Sequence, residues 1–77
     1  MELFRPAWDS KNEIRAVRAV EKLTNQVKLA RAAKEARFQQ ARLAAVTKLT
    51  DQSILADVAK YDNDNDVRKE AVEKLTD

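Results

Sequence analysis

Ala19-Val20-Glu21-Lys22-Leu23-Thr24 returns as Ala45-Val46-Thr47-Lys48-Leu49-Thr50 and again as Ala71-Val72-Glu73-Lys74-Leu75-Thr76, each copy starting 26 residues after the one before. Self-similarity at a fixed period marks stacked supersecondary units, each too small to bury its apolar face alone. Laying 15–40 over 41–66 without a gap adds Gln26 on Gln52, Leu29 on Leu55, Ala30 on Ala56, Ala33 on Ala59 and Lys34 on Lys60, for 10 identities over 26 positions. Laying 41–51 over 67–77 gives 7 over 11, among them Arg42 on Arg68.

A unit of this length holds two helices of about 10 residues and two turns, at 3.6 residues per helical turn. The residues fit that division. In the first helix Ala41, Ala45, Val46 and Leu49 fall on one face, as do Ala71, Val72 and Leu75; in the second, Leu55, Val58 and Ala59 match Leu29, Ala32 and Ala33. Glycine is absent, the single proline is Pro6, and alanine, leucine, lysine, arginine, glutamate and glutamine supply most of the chain. These are good helix formers without strand or turn punctuation, so the class is all-α. A charged fraction of 36% is compatible with disorder, but 44% hydrophobic residues at regular intervals favour a packed stack.

Turns follow the same register. Thr50 or Asp51, and Thr24 or Asn25 one unit earlier, are placed to cap the helix that follows. Asp62-Asn63-Asp64-Asn65-Asp66 reads as the turn between units, capping a helix from near Val67. Its counterpart, Ala36-Arg37-Phe38-Gln39-Gln40, holds no breaker, and propensity alone favours one continuous helix from about 26 to 49. The repeat register predicts a turn there instead, because a straight helix through Phe38 would keep Leu29 and Leu49 out of one antiparallel stack. At the start, Ser10-Lys11-Asn12-Glu13 fits a capping box with Ser10 as the cap. Ahead of it Leu3, Phe4, Pro6 and Trp8 form an apolar cover for the exposed end of the core. The resulting division is a single domain over 1–77: a cap at 1–11, repeats at 12–40 and 41–66, and a half repeat at 67–77 whose helix is expected to lack the partner that 53–60 supplies one unit earlier.

Asp64-Asn65-Asp66-Val67-Arg68, followed by Ala71-Val72 and Leu75, resembles the second half of a HEAT-like repeat, particularly the short bacterial type called lyase HEAT-like. The resemblance covers about 12–77. The Asp-Val-Arg signature is complete only in the last copy; the middle one keeps Arg42 and Ala45-Val46 but has Phe38 and Gln40 where the aspartates stand. The resemblance implies a short right-handed α-solenoid of antiparallel helix pairs, about five helices in all, offering a shallow concave face to another macromolecule. Most such proteins are protein-binding scaffolds, and a minority bind nucleic acid.

Composition narrows the function. Without histidine the commonest general base and transition-metal ligand is missing, and without cysteine there is no thiolate site or disulfide. The expectation is a non-catalytic cytoplasmic protein without cofactor or metal, and no apolar run reaches the roughly 20 residues of a membrane helix. One run of carboxylates has metal-loop spacing. Asp62, Asp64, Asp66, Glu70 and Glu73 occupy positions 1, 3, 5, 9 and 12 of a calcium-binding loop, but Val67 stands where the sharp turn needs glycine and Lys69 where an apolar residue belongs. The repeat also puts Glu70 and Glu73 inside a helix, so capping and solvation account for the run.

The side of each first helix away from the core carries the series 17/43/69, 18/44/70, 21/47/73 and 22/48/74. Val17 and Leu43 are apolar where a solvated ridge would be polar, and Arg18, Lys22, Thr47 and Lys48 frame them. These six residues are the expected protein-binding strip, on the face that the HEAT-like resemblance makes concave. The alternative is phosphate binding through Lys28, Arg31, Lys34, Arg37 and Arg42, since each neutralised phosphate releases counterions. Residues 1–50 carry 11 basic and 5 acidic side chains, net +6, and residues 51–77 carry 4 and 8, net −4. Opposed halves of this kind suit a homo-oligomer in which an acidic end with an open last helix meets a basic one.

Overall fold

The computed structural model describes residues 5–76. They form a short 3-10 turn, Ala7–Asp9, and five helices: α1 (Glu13–Glu21), α2 (Gln26–Glu35), α3 (Gln39–Lys48), α4 (Gln52–Tyr61) and α5 (Asn65–Lys74), with no strand among the described residues. α1 packs on α3 and α3 on α5, while α2 packs on α3 and α4 on α5. The helices therefore lie in two rows, α1-α3-α5 and α2-α4, and the core runs between them. No helix is long and apolar enough to cross a membrane among the described residues.

The core is alanine-rich and thin. Ala16, Val20, Ala32, Ala33, Ala41, Ala45, Val46, Leu49, Leu55, Val67 and Ala71 are fully buried, Leu29 nearly so, and Val58 and Trp8 close to it. Small residues let helices of ten residues approach closely, and the leucines fill what remains. Leu23 and Leu75 pack half-buried against the same cluster as Leu49. Trp8 joins it from the 3-10 turn, which packs on α1 and α2. The proposed cover thus rests on Trp8; Leu3 and Phe4 lie outside the described residues, and Pro6 is exposed.

Four helices start on a side-chain cap. Asn12 Oδ1 accepts from the Arg15 amide, Asn25 Oδ1 from Lys28, Asp51 Oδ1 from Ser53 and Ile54, and Asp64 Oδ1 from Asp66 and Val67. Three expectations change. The helix at 53–60, expected as the partner of the first helix in its own unit, packs chiefly on α5 rather than α3. Ser10 is not the cap of α1: its hydroxyl accepts from the amide of Asn12, which is the cap. α3 and α5 begin at Gln39 and Asn65, two residues before the repeat register places them; α5 does so because Asp64 is its cap, and α3 does so without a side-chain cap.

The break at 36–38 is present although α3 has Phe38 at its N-cap and no side-chain cap bond. A side chain near the start of α3 supports it instead. Arg42 Nη1 donates to the carbonyl oxygens of Ala36 at 2.8 Å and Arg37 at 3.4 Å, satisfying acceptors that a continuing helix would have used. Arg68 Nη1 repeats the bond 26 residues on, to Asp62 O at 2.6 Å.

Each of the five positions identical in all three hexapeptides has a structural task in the middle copy. Ala45, Val46 and Leu49 are core; Lys48 Nζ donates to Glu21 O at 2.7 Å and Val20 O at 3.3 Å, at the carbonyl end of α1; Thr50 donates from its amide and hydroxyl to Gln26 Oε1. A cation at that end also complements the helix dipole. The bonds recur 26 residues on as Lys74 Nζ to Thr47 O at 3.1 Å and Thr76 to Gln52 Oε1.

The Asp51 cap sets a pH dependence. Hydrogen bonds from the Ser53 side chain and then the Ile54 amide hold its carboxyl below the usual carboxylate range. A depressed folded-state pKa stabilises above the unfolded value, about 3.9, and that stabilisation is lost as pH falls through the lower folded value. Asp51→Ala is therefore expected to lower Tm at pH 7, with the difference from wild type shrinking in melts below about pH 4. A difference of constant size down to pH 2 would refute the assignment.

Candidate interaction surface

α1 is the first described helix of its row, and one side of it packs against none of the other described helices. Arg15, Arg18, Ala19 and Lys22 are spaced as a single helical stripe, and with Ala7, Asn12 and Ile14 they line an open hollow of about 440 Å³. Moved on by 26 residues, the stripe becomes Ala41, Ala44, Ala45 and Lys48 in α3, and then Val67, Glu70, Ala71 and Lys74 in α5. There Ala41, Ala45, Val67 and Ala71 have no exposure at all, and each lysine reaches the carbonyl end of the helix before it. The side that α3 and α5 use for packing is solvent-facing in α1.

Ile14 adds an apolar anchor. It is 66% exposed and borders both this hollow and a second one of about 340 Å³, formed with Glu13, Val17, Arg18, Glu21 and, across from α3, Gln40. Arg18 borders both hollows as well. The surface is an exposed isoleucine set among the cations Arg15, Arg18 and Lys22.

The six residues of the expected strip divide between this surface and the packing. Val17, Arg18 and Lys22 lie in the two hollows. Leu43 packs half-buried against the core and lines neither; exposed Thr47 donates its hydroxyl back to Ala44 O at 2.7 Å; the Lys48 ammonium is held by α1. Ile14 and Arg15 went unnoticed in the sequence because they precede the hexapeptide and have no apolar or basic counterpart at Gln40 and Ala41. The signal that could have found them is an isoleucine standing outside the buried period of its own helix.

The phosphate-binding set is mostly engaged with carboxylates. Arg31 faces Glu35 at 3.6 Å, Lys34 faces Asp57 at 3.6 Å and Arg37 faces Asp9 at 3.7 Å, all solvent-accessible pairs of small energetic value. Arg42 differs: its Nε lies 2.9 Å from Asp62 Oδ2, with side chains only 13% and 6% exposed. Lys28 lines a third hollow, of about 290 Å³, with Trp8, Leu23 and Arg31 among its walls.

The acidic run is likewise occupied from within. Asp62 accepts from Arg42 and from the Asp64 amide, Asp64 Oδ1 accepts from Gln39 Nε2 at 3.1 Å besides the two amides it caps, and Glu70 and Glu73 stand in α5. No group of three or more metal-ligating side chains converges among the described residues. Comparison with family models, with curated proteins and with solved structures finds no match to this chain.

Proposed function

We propose that this chain is a non-catalytic protein-interaction scaffold, a short right-handed α-solenoid of antiparallel helix pairs in the cytoplasm that engages a protein partner along α1. The observation that carries the reading is the bare packing stripe of α1, with exposed Ile14 among Arg15, Arg18 and Lys22. A stripe of that spacing is what a helix offers another helix, and an apolar anchor ringed by cations favours a partner with an apolar helical face and acidic flanks. The bonds that recur every 26 residues support the solenoid form.

Nucleic-acid binding through Lys28, Arg31, Lys34, Arg37 and Arg42 is the weaker reading, since four of the five already face carboxylates. Titration with a labelled duplex is expected to give no binding at low salt. Tight binding that falls steeply as salt rises would move the function to the basic half.

The scaffold reading is checked by replacing Ile14, and separately Val27, with a photo-crosslinking residue. Both positions are exposed, at 66% and 72%, on different helices. Irradiation in an extract of the source cells is expected to give a discrete adduct from position 14 that position 27 does not give. The same adducts from both positions, or none from either, would reject α1 as the docking face.

A further inference from the structure

The two ends of the helix row are the two halves of an interface that the chain already makes twice inside itself, as α1 against α3 and α3 against α5. On the far side of α5, Val72 is 55% exposed, whereas its counterparts Val20 and Val46 have no exposure. On the near side of α1, Ala19 is half-buried and lines a hollow, whereas its counterparts Ala45 and Ala71 are fully buried. Lysines mark the register. Lys48 reaches Glu21 O and Lys74 reaches Thr47 O, each 27 residues back, so the next acceptor in the series is Glu73 O, and exposed Lys22 is the lysine of the series with no described helix before it in the row.

Resting on the reading of α1 as a docking face, we infer that the partner this face fits is a second copy of the chain, joined head to tail with α1 of one copy against α5 of the next. In that contact Lys22 of the incoming copy donates to the carbonyl end of α5, Arg18 lies toward exposed Glu73, and Val72 is covered as Val46 is covered within one chain. Three features on the page select this occupant. The contact continues an existing interface in its own register. The carbonyl end of α5 carries the negative pole of the helix dipole, which suits the cations of α1. The halves of the chain are also opposite in charge, net +6 over 1–50 and net −4 over 51–77. Because the two surfaces differ, the contact is heterologous and does not close on itself, so copies add in line.

Sedimentation equilibrium of the whole 77-residue chain and two variants tests the inference. Wild type is expected to show a weight-average mass that rises at least twofold from dilute to concentrated solution, a change about the size of one added copy. Val72→Arg and Lys22→Glu change exposed positions at opposite ends, and each alone should remain at the single-chain mass with unaltered helical circular dichroism. Mixed in equal amounts, they should form a two-chain species that grows no further, since Val72→Arg keeps a sound α1 face and Lys22→Glu a sound α5 face. A wild type fixed at the single-chain mass overturns the inference, and so does a mixture no heavier than its components, which a symmetric α5-to-α5 contact would give. If wild type stays single while position 14 still yields its own adduct, only self-association falls; if position 14 yields none either, the docking reading falls with it.

Discussion

Leu49→Ala is expected to lower the unfolding free energy by about 3 kcal/mol, the middle of the range for a fully buried leucine whose site only partly collapses. Leu49 has no exposure and belongs to the middle helix of its row, with α1 on one side and α5 on the other. At roughly 0.05–0.15 kcal/mol per residue, a domain of this size has only roughly 4–12 kcal/mol in total, so one truncation removes a large share. In a thermal melt the loss corresponds to a fall of about 15 °C. Leu23→Ala and Leu75→Ala, at half-buried positions in the outer copies of the same hexapeptide, should cost less, on the order of 1 kcal/mol each. Equal costs at all three positions would mean that the copies do not stack around a shared middle.

Arg42→Met is expected to be as damaging, by about 3 kcal/mol, for a different reason. Its guanidinium does two things at once: it neutralises Asp62, whose side chain is 6% exposed, and it donates to the Ala36 and Arg37 carbonyls that end α2. Methionine fills much of the same volume but leaves a carboxylate without its cation and two acceptors without their donor. The companion Arg42→Met, Asp62→Asn should recover part of the loss, because the amide removes the stranded charge and keeps an acceptor for the Asp64 amide. Urea unfolding of the two single variants and the double variant measures the coupling directly. Additive losses would show that the pair is incidental and that the turn at 36–38 is held by something else.

The helices themselves were legible from the chain, for reasons visible in particular residues. Leu29, Ala32 and Ala33 recur with helical spacing and are buried in α2; Leu55 and Val58 do the same in α4. Of the two caps the sequence offers at each turn, Thr24 or Asn25 and Thr50 or Asp51, the second is used in both. The start of α1 was misplaced because Ser10 and Asn12 are both good caps, and the choice between them depends on where the chain leaves the Trp8 turn. The candidate site was legible only in half. Val17, Arg18 and Lys22 lie in the hollows on α1, but their counterparts Leu43 and Lys48 are drawn into packing, since a helix precedes α3 and none of the described ones precedes α1 in that row.

Taken alone, the sequence determined the helical class, the 26-residue period, the caps of α2 and α4 and most of the buried face. Apart from the period, which is read by comparing copies, these depend on residues within one or two turns of each other, where spacing and hydrogen-bonding reach are fixed by the backbone. Tertiary structure decided that the chain breaks at 36–38, which cations are spent inside the fold, and which of three equivalent valines meets solvent. Most of those outcomes turn on groups 20 or more residues apart, such as Lys48 with Val20 and Glu21, and even the Arg42 that ends α2 five and six residues away is paired with Asp62, 20 residues on.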